Sequence, residues 1–415
     1  MKSTTDFVFN SNVSKVIFVI LLLFSIHFWD LKFIPQKYNS MNLLVWLVCG
    51  YSFFMVSQKS NMQFKNAIFL FLIGLIFNSF SAYINLGQSP YRTLLSFGYY
   101  YFILLYFLLH YFKLNRAFLE NIIIIFAVIY SILYIYQYRV YPNLIFKNDP
   151  KTAVLSSHFA ILGHGFLMLA YFLILNRYLL NHKLKNLLIA SGFFIVLLLC
   201  DFRTLIAGAI LVSLIIFIKV GQFNTKKIVI LIFITLLVVG FLQFRGVPRI
   251  FKESVAHTQQ NFTEGKKYIR ILELEFFFKK YPENISYFII GGGKPTGDNL
   301  YNYNLGVFPM NFNIVWVDIG LLGFYIVIGG IATLGLLWYT LKAIFIKLPR
   351  DSLYLSSYFL YLLIVSITNE EIYRNGIFSV HAIGLYLIDN ALNEKSKSEN
   401  ETTVGDNFLT RKTLF

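Results

Sequence analysis

Apolar runs of membrane-spanning length recur along this chain. They cover Lys15–Ile34, Met41–Ser57, Asn66–Leu86, Thr93–Phe112, Phe118–Gln137, Ala153–Leu175, Leu187–Cys200, Thr204–Ile218, Ile228–Phe244, Asn313–Leu341, Ser352–Thr368 and Gly376–Leu392. A helix crosses hydrocarbon in about 17–25 such residues, so the pattern predicts an all-α polytopic integral membrane protein with about 12 transmembrane helices. The seventh and eighth runs are short and meet at Asp201-Phe202-Arg203, as a hairpin of short spans or as one broken element. The pattern lapses between Arg245 and Phe312, where polar residues, a triple glycine and nine Lys/Arg stand. The chain therefore divides into a nine-span bundle (1–244), an extracytoplasmic loop (245–312), three further spans (313–392) and a polar, disordered tail (393–415).

Composition agrees with this pattern. Of 415 residues, 57% are hydrophobic and only 13% charged, against about a quarter charged in a soluble domain. The first run ends at Phe28-Trp29-Asp30, without a small-residue cleavage site, and reads as a retained span. The net charge of +16 does not imply nucleic acid, because Lys and Arg flank spans for topological reasons. One set of short loops holds Lys59, Lys65, Lys113, Arg116, Arg177, Lys183, Lys185, Lys219, Lys226, Lys227, Lys342, Lys347 and Arg350. The alternate set is poorer in positive charge, with Lys32, Lys37, Arg92, Arg139, Lys147, Lys151, Arg203 and Arg374. This bias puts both termini in the cytoplasm and the long loop outside. Cys49 and Cys200 lie in or at the end of apolar runs and suggest packing, neither a disulfide framework nor a metal site.

Candidate chemistry collects at the outer boundary. Asp201-Phe202-Arg203-Thr204 reads as an interfacial ion pair or as a guanidinium suited to bidentate phosphate contact. Tyr268–Lys280 is amphipathic, with Arg270 and Glu273 on one face, and suits a helix on the membrane surface or against the bundle. Pro282 ends it. Ile290–Asp298, with Gly291-Gly292-Gly293-Lys294, lacks P-loop spacing and reads first as a flexible turn, then as an anion nest. His164 inside the sixth run is a functional candidate or a buried histidine bonded to a neighbouring span. Asn369–Arg374 is a solvated turn or a site where acids sit beside an Arg. Asp318 lies within the tenth run, as an acid at lipid depth or one that reaches water.

These features together resemble the bacterial O-antigen polymerase/ligase superfamily. The resemblance rests on Asp201-Phe202-Arg203-Thr204, similar to the family's Arg-Thr motif, on Arg270 in the long loop, and on the glycines of Ile290–Gly293. It also rests on Asn313–Gly323, similar to the family's polar stretch followed by Gly-x-x-Gly. The ligases carry His-Asn eleven residues before the first of those glycines; here Pro309-Met310 stand there, which favours a Wzy-type polymerase. The resemblance implies a GT-C-like fold in the bacterial inner membrane. The implied enzyme is a glycosyltransferase of lipopolysaccharide or capsule biosynthesis, independent of nucleotide sugars. It would transfer a growing glycan from undecaprenyl pyrophosphate to the non-reducing end of an incoming lipid-linked repeat unit. A lipid-linked oligosaccharide flippase is the alternative from another class, and an O-antigen ligase the nearer one. Arg203 and Arg270 would hold the pyrophosphate, with the loop closing as a lid that brings the two together. Glu273, Glu370, Glu371 and Asp318 are the candidate bases, and Asp201, His164, Lys294, Tyr268, Asp318 and Arg374 the substrate contacts. Loop tyrosines (Tyr268, Tyr287, Tyr301, Tyr303) would stack on sugars or anchor the loop. No cofactor and no metal is expected. The implied partners are the lipid-linked oligosaccharide, membrane lipid and a chain-length regulator, not nucleic acid.

Overall fold

A computed structural model describes residues 11–34, 38–58, 62–140, 143–146, 161–200, 202–220, 269–282, 284–296 and 314–412. These residues fold as α-helices, with no strand among them beyond one isolated bridge between Leu31 and Phe146. In chain order the helices are α1 (Ser11–Ser25), α2 (Tyr38–Val56), α3 (Lys65–Leu86), α4 (Pro90–Ser96), α5 (Leu105–Phe112), α6 (Arg116–Val140), α7 (His164–Asn181) and α8 (Leu184–Leu199). They continue as α9 (Arg203–Val220), α10 (Ile269–Glu275), α11 (Ser286–Ile290), α12 (Gly320–Ile328), α13 (Gly330–Phe345), α14 (Leu353–Val365) and α15 (Ile377–Lys412).

Among the described residues three helices, α3, α6 and α9, are long and apolar enough to cross a membrane. A fourth follows if α4 and Tyr100–Phe112, bent by 65°, count as one span. Helix length alone therefore reaches fewer spans than the apolar runs suggest, because backbone breaks divide several runs. The first helix stops at Ser25 and passes into His27–Asp30, four residues with φ between 47° and 58°. The tenth run splits into a 3₁₀ turn (Trp316–Ile319), α12 and α13, divided at Gly329. Gly329 has φ 96°, a conformation that an L side chain rarely adopts. The Ile228–Phe244 run lies outside the described residues. The seventh and eighth runs form two helices, α8 and α9, separated at Cys200–Phe202.

The bundle is apolar both inside and out. Leu47, Phe54, Phe80, Ile84, Ile132, Leu188, Ile195 and Phe345 are exposed, whereas a helix of a water-soluble protein keeps a polar outer face. Among the described residues, helices α3 and α13 pack closely. A Cβ on Gly74 would run into the Ala332 backbone, and one on Gly335 into that of Phe71. Small residues thus let the two backbones touch, as in membrane helix pairs.

Polar contacts tie several of the loops together. Lys342 donates to the Gln63 carbonyl (2.7 Å), Lys65 to that of Ser57 (2.9 Å), and Tyr386 to that of Leu114 (2.8 Å). Glu120 accepts from Arg116 (2.7 Å), Arg177 (2.6 Å) and Tyr354 (2.8 Å), while Arg116 reaches Asp351 (2.8 Å). This lock ties α6, α7 and α14 together. Elsewhere the Lys32 N–H donates to Ile145 (2.8 Å), and the Arg374 guanidinium lies over the Phe202 ring. The tail corrects the expectation of disorder: α15 runs on to Lys412, with Glu394 lying 3.8 Å from Arg116.

Candidate functional site

The loop Asn369–Arg374, between α14 and α15, organises a second set of contacts. It is not the solvated turn that the sequence allowed, because the loop folds back into the bundle. The Ile372 N–H donates to Ser366 Oγ (2.7 Å) and Tyr373 Oη to the Gly320 carbonyl (2.9 Å), and Tyr373 stacks on Trp316 with centroids 5.7 Å apart. Glu371, Ile372 and Tyr373 are consequently buried.

Burial requires Glu371 to have charged partners. One of its oxygens lies 2.8 Å from His164 Nδ1, and the other 3.1 Å from Arg374 Nη1. Burial alone would raise the carboxyl; the Arg374 and His164 charges outweigh it and hold it down to about 2. An ionised carboxylate only accepts, so His164 Nδ1–H donates. Gly163, with φ 92°, turns the chain into α7 at this point. Arg374 Nε lies 3.3 Å from Glu370 Oε1, and the guanidinium stands 5.4 Å from the centre of the Phe202 ring.

The other wall comes from the polar segment between the ninth and tenth apolar runs. Helix α10 and the wider turn Phe276–Lys280 pack on the bundle through Phe277, which is buried with Ile319 and Ile326. Glu273 is buried and accepts the Val315 N–H (3.1 Å). Burial, aided by the Asp318 charge, pushes Glu273 up to about 7, against the pull of Val315 and Arg270. Asp318 is exposed at the turn before α12, so it stands at the mouth and not within an unbroken span. The charges of Arg270 and Glu370 both act on it.

The triple glycine is not a flexible turn. The Gly293 N–H donates to the Val327 carbonyl (2.9 Å), and Asn78 Nδ2 donates to both Ile290 and Val327 carbonyls (each 2.9 Å). Side chains would not fit, since a Cβ on Gly291 meets Asn78 and the Ile328 backbone. The clamp delivers Lys294 to the mouth. Gln88 holds the flanking backbone, accepting from the Thr296 N–H (3.1 Å) and donating to the Lys294 carbonyl (2.9 Å). Lys294 Nζ reaches the Ser96 carbonyl (3.4 Å) and lies 5.8 Å from the Tyr100 ring centre. Burial lowers this ammonium's pKa, and the nearby Glu370 charge opposes that.

The structure thus brings Arg270, Glu273, Lys294, Asp318, Glu370 and Arg374 to one mouth. Arg203 is exposed at the start of α9; its neighbours dock there, Thr204 Oγ1 accepting from Asn369 Nδ2 (3.4 Å) and Phe202 lying beneath Arg374. The charges of Arg270 and Glu370 act on Asp318, Glu370 pairs with Arg374, and Arg374 lies over the ring of Phe202, the residue before Arg203. Asp201, Tyr268, Tyr301 and Tyr303 lie outside the described residues. Tyr287 is buried against Tyr281, so it is not a sugar platform. His164 faces Glu371 inside the bundle.

Beneath the mouth lies a feature not read from the sequence. His164 Nε2, Tyr358 Oη, Tyr361 Oη and His381 Nε2 are buried and lack a protein hydrogen-bond partner. The Glu371 charge acts on Tyr358, Tyr361 and His381. The readable signal was polar residues inside apolar runs; their convergence depends on packing. When the chain is compared with known proteins, no protein-family model matches it and no curated protein matches it.

Proposed function

We propose that this chain is a membrane glycosyltransferase of the polymerase type, moving a growing glycan from undecaprenyl pyrophosphate onto the non-reducing end of a lipid-linked repeat unit. The observation that carries the reading is the mouth, where Arg270, Lys294 and Arg374 converge around carboxylates, beside the Phe202–Thr204 segment.

The chemistry follows from that set. An acceptor hydroxyl attacks the anomeric carbon as the bond to the pyrophosphate oxygen breaks. The electron pair leaves with the lipid pyrophosphate, and fixed cations lower the barrier by meeting the developing charge. Arg270, Lys294 and Arg203 serve this role, while Arg374 is committed to its carboxylates and shapes the mouth. Among the four candidate bases Glu273 fits best. It titrates near neutrality, the range that favours proton acceptance at physiological pH. Glu371 is buried in its ion pairs, Glu370 is bound to Arg374, and Asp318 is exposed.

The test is complementation of a deletion strain, read as glycan banding on a gel with the variant's membrane level measured alongside. Arg270→Ala, Arg203→Ala and Glu273→Gln should remain in the membrane and yield single-repeat product. A normal ladder from all three overturns the reading.

A further inference from the structure

The group around Glu371 is built from three helices and is used by no step of the mouth chemistry. His164 comes from α7, Tyr358 and Tyr361 from α14, and His381 from α15. Their other atoms are fixed in place. His164 Nδ1 is held by Glu371 at 2.8 Å, and His381 Nδ1 by Tyr339 Oη at 3.0 Å. The Tyr358 and His381 rings lie 6.5 Å apart between centroids. The remaining polar atoms, His164 Nε2, His381 Nε2 and the two tyrosine hydroxyls, are buried with no protein partner. Folded proteins leave few such atoms unsatisfied, and here they sit on His164, which bonds Glu371, on neighbouring turns of α14, and on His381, whose ring lies beside that of Tyr358.

The donor set identifies that ligand's chemistry. No group of three or more His, Cys, Asp or Glu among the described residues could hold a metal ion. Hydroxyls that both donate and accept, set among imidazole nitrogens, match small molecules that do the same. Water fits: buried waters typically make about three bonds to otherwise unsatisfied groups. We propose that His164, Tyr358, Tyr361 and His381 form an internal water site, closed on the mouth side by Glu371 and Arg374. The site does not depend on which substrate the mouth takes.

Two measurements on the purified full-length protein in lipid nanodiscs test this. In X-ray hydroxyl-radical footprinting, water held against a buried ring labels that ring. Tyr354, equally buried but bonded to Glu120, is the reference. Tyr358 and Tyr361 should label faster than Tyr354; rates equal to that of Tyr354 overturn the proposal. Thermal midpoints give an independent reading. Removing a hydroxyl that binds water lowers stability, whereas removing one without a partner leaves it unchanged or raises it. Tyr358→Phe and Tyr361→Phe should both unfold at lower temperature than the wild type. An unchanged or raised midpoint in both overturns the site whatever happens to glycan banding.

Discussion

Removing the Arg374 guanidinium should destabilise the protein far more than a surface substitution does. Its loss strands Glu371, which the fold buries and holds ionised. Holding the carboxyl at about 2 instead of its ordinary 4.5 corresponds to roughly 3 kcal/mol at neutral pH, at 1.36 kcal/mol per pH unit. Breaking a buried pair from one side typically costs about 3–5 kcal/mol. The cost should fall when the stranded charge is removed as well. Thermal unfolding of purified protein at pH 7 should therefore rank wild type above Arg374→Ala/Glu371→Gln, and the double variant above Arg374→Ala alone. The pH dependence follows from the direction of the shift. A lowered carboxyl contributes stability above its unfolded pKa, and that contribution fades as pH falls from 4.5 towards 2. The wild type should lose stability across that window, while Arg374→Ala loses less. If Arg374→Ala is as stable as the wild type, or if Glu371→Gln gives no rescue, the reading of this ion pair is wrong.

Other expectations are more local. Glu273 is raised to about 7, so its contribution to stability is present below its ordinary 4.5 and lost as pH rises through 7. Glu273→Gln should thus raise the thermal midpoint relative to wild type at pH 8 and change it little at pH 4. Asn78→Leu removes the side-chain donor to the Ile290 carbonyl and one of the two donors to Val327 and should cost about 1–3 kcal/mol, read as reduced recovery of monodisperse protein on size exclusion. Gly335→Leu, which forces a side chain into the Phe71 backbone, should abolish that recovery, whereas substitution of exposed Leu188 by Ala should not. Gln88→Ala should loosen the backbone around Lys294 and shorten the glycan ladder without lowering membrane level.

Hydropathy located most of the described helices because it counts apolar residues. It did not foresee the breaks at Ser25, at Ser96–Tyr100 and at Gly329, because a run of apolar letters carries no dihedral angles. The charge of the loops divided them into two sets. It did not reveal that Gly291–Gly293 dock edge-on against α12, because glycine reads equally as freedom or as close approach. His164 and Glu371 were each legible as unusual, one polar within an apolar run and the other in an acidic pair. Their bond joins residues 207 positions apart, and only the packing of α7 against α14 and α15 brings them together.

The lock around Glu120 bears on how the distant mouth can open. It fastens α6, α7 and α14 where Arg177 and Asn176 meet Glu120 and Asp351. Helices fastened there separate chiefly by pivoting, so displacement grows with distance from the lock. From Arg177 in the lock to His164 at its start, α7 rises by 13 residues, a lever of about 20 Å. A pivot of roughly 5° therefore carries its far end by about 2 Å. That end is His164, and such a swing would part it from Glu371, turning a slight tilt at one face of the bundle into a broken ion pair beneath the other.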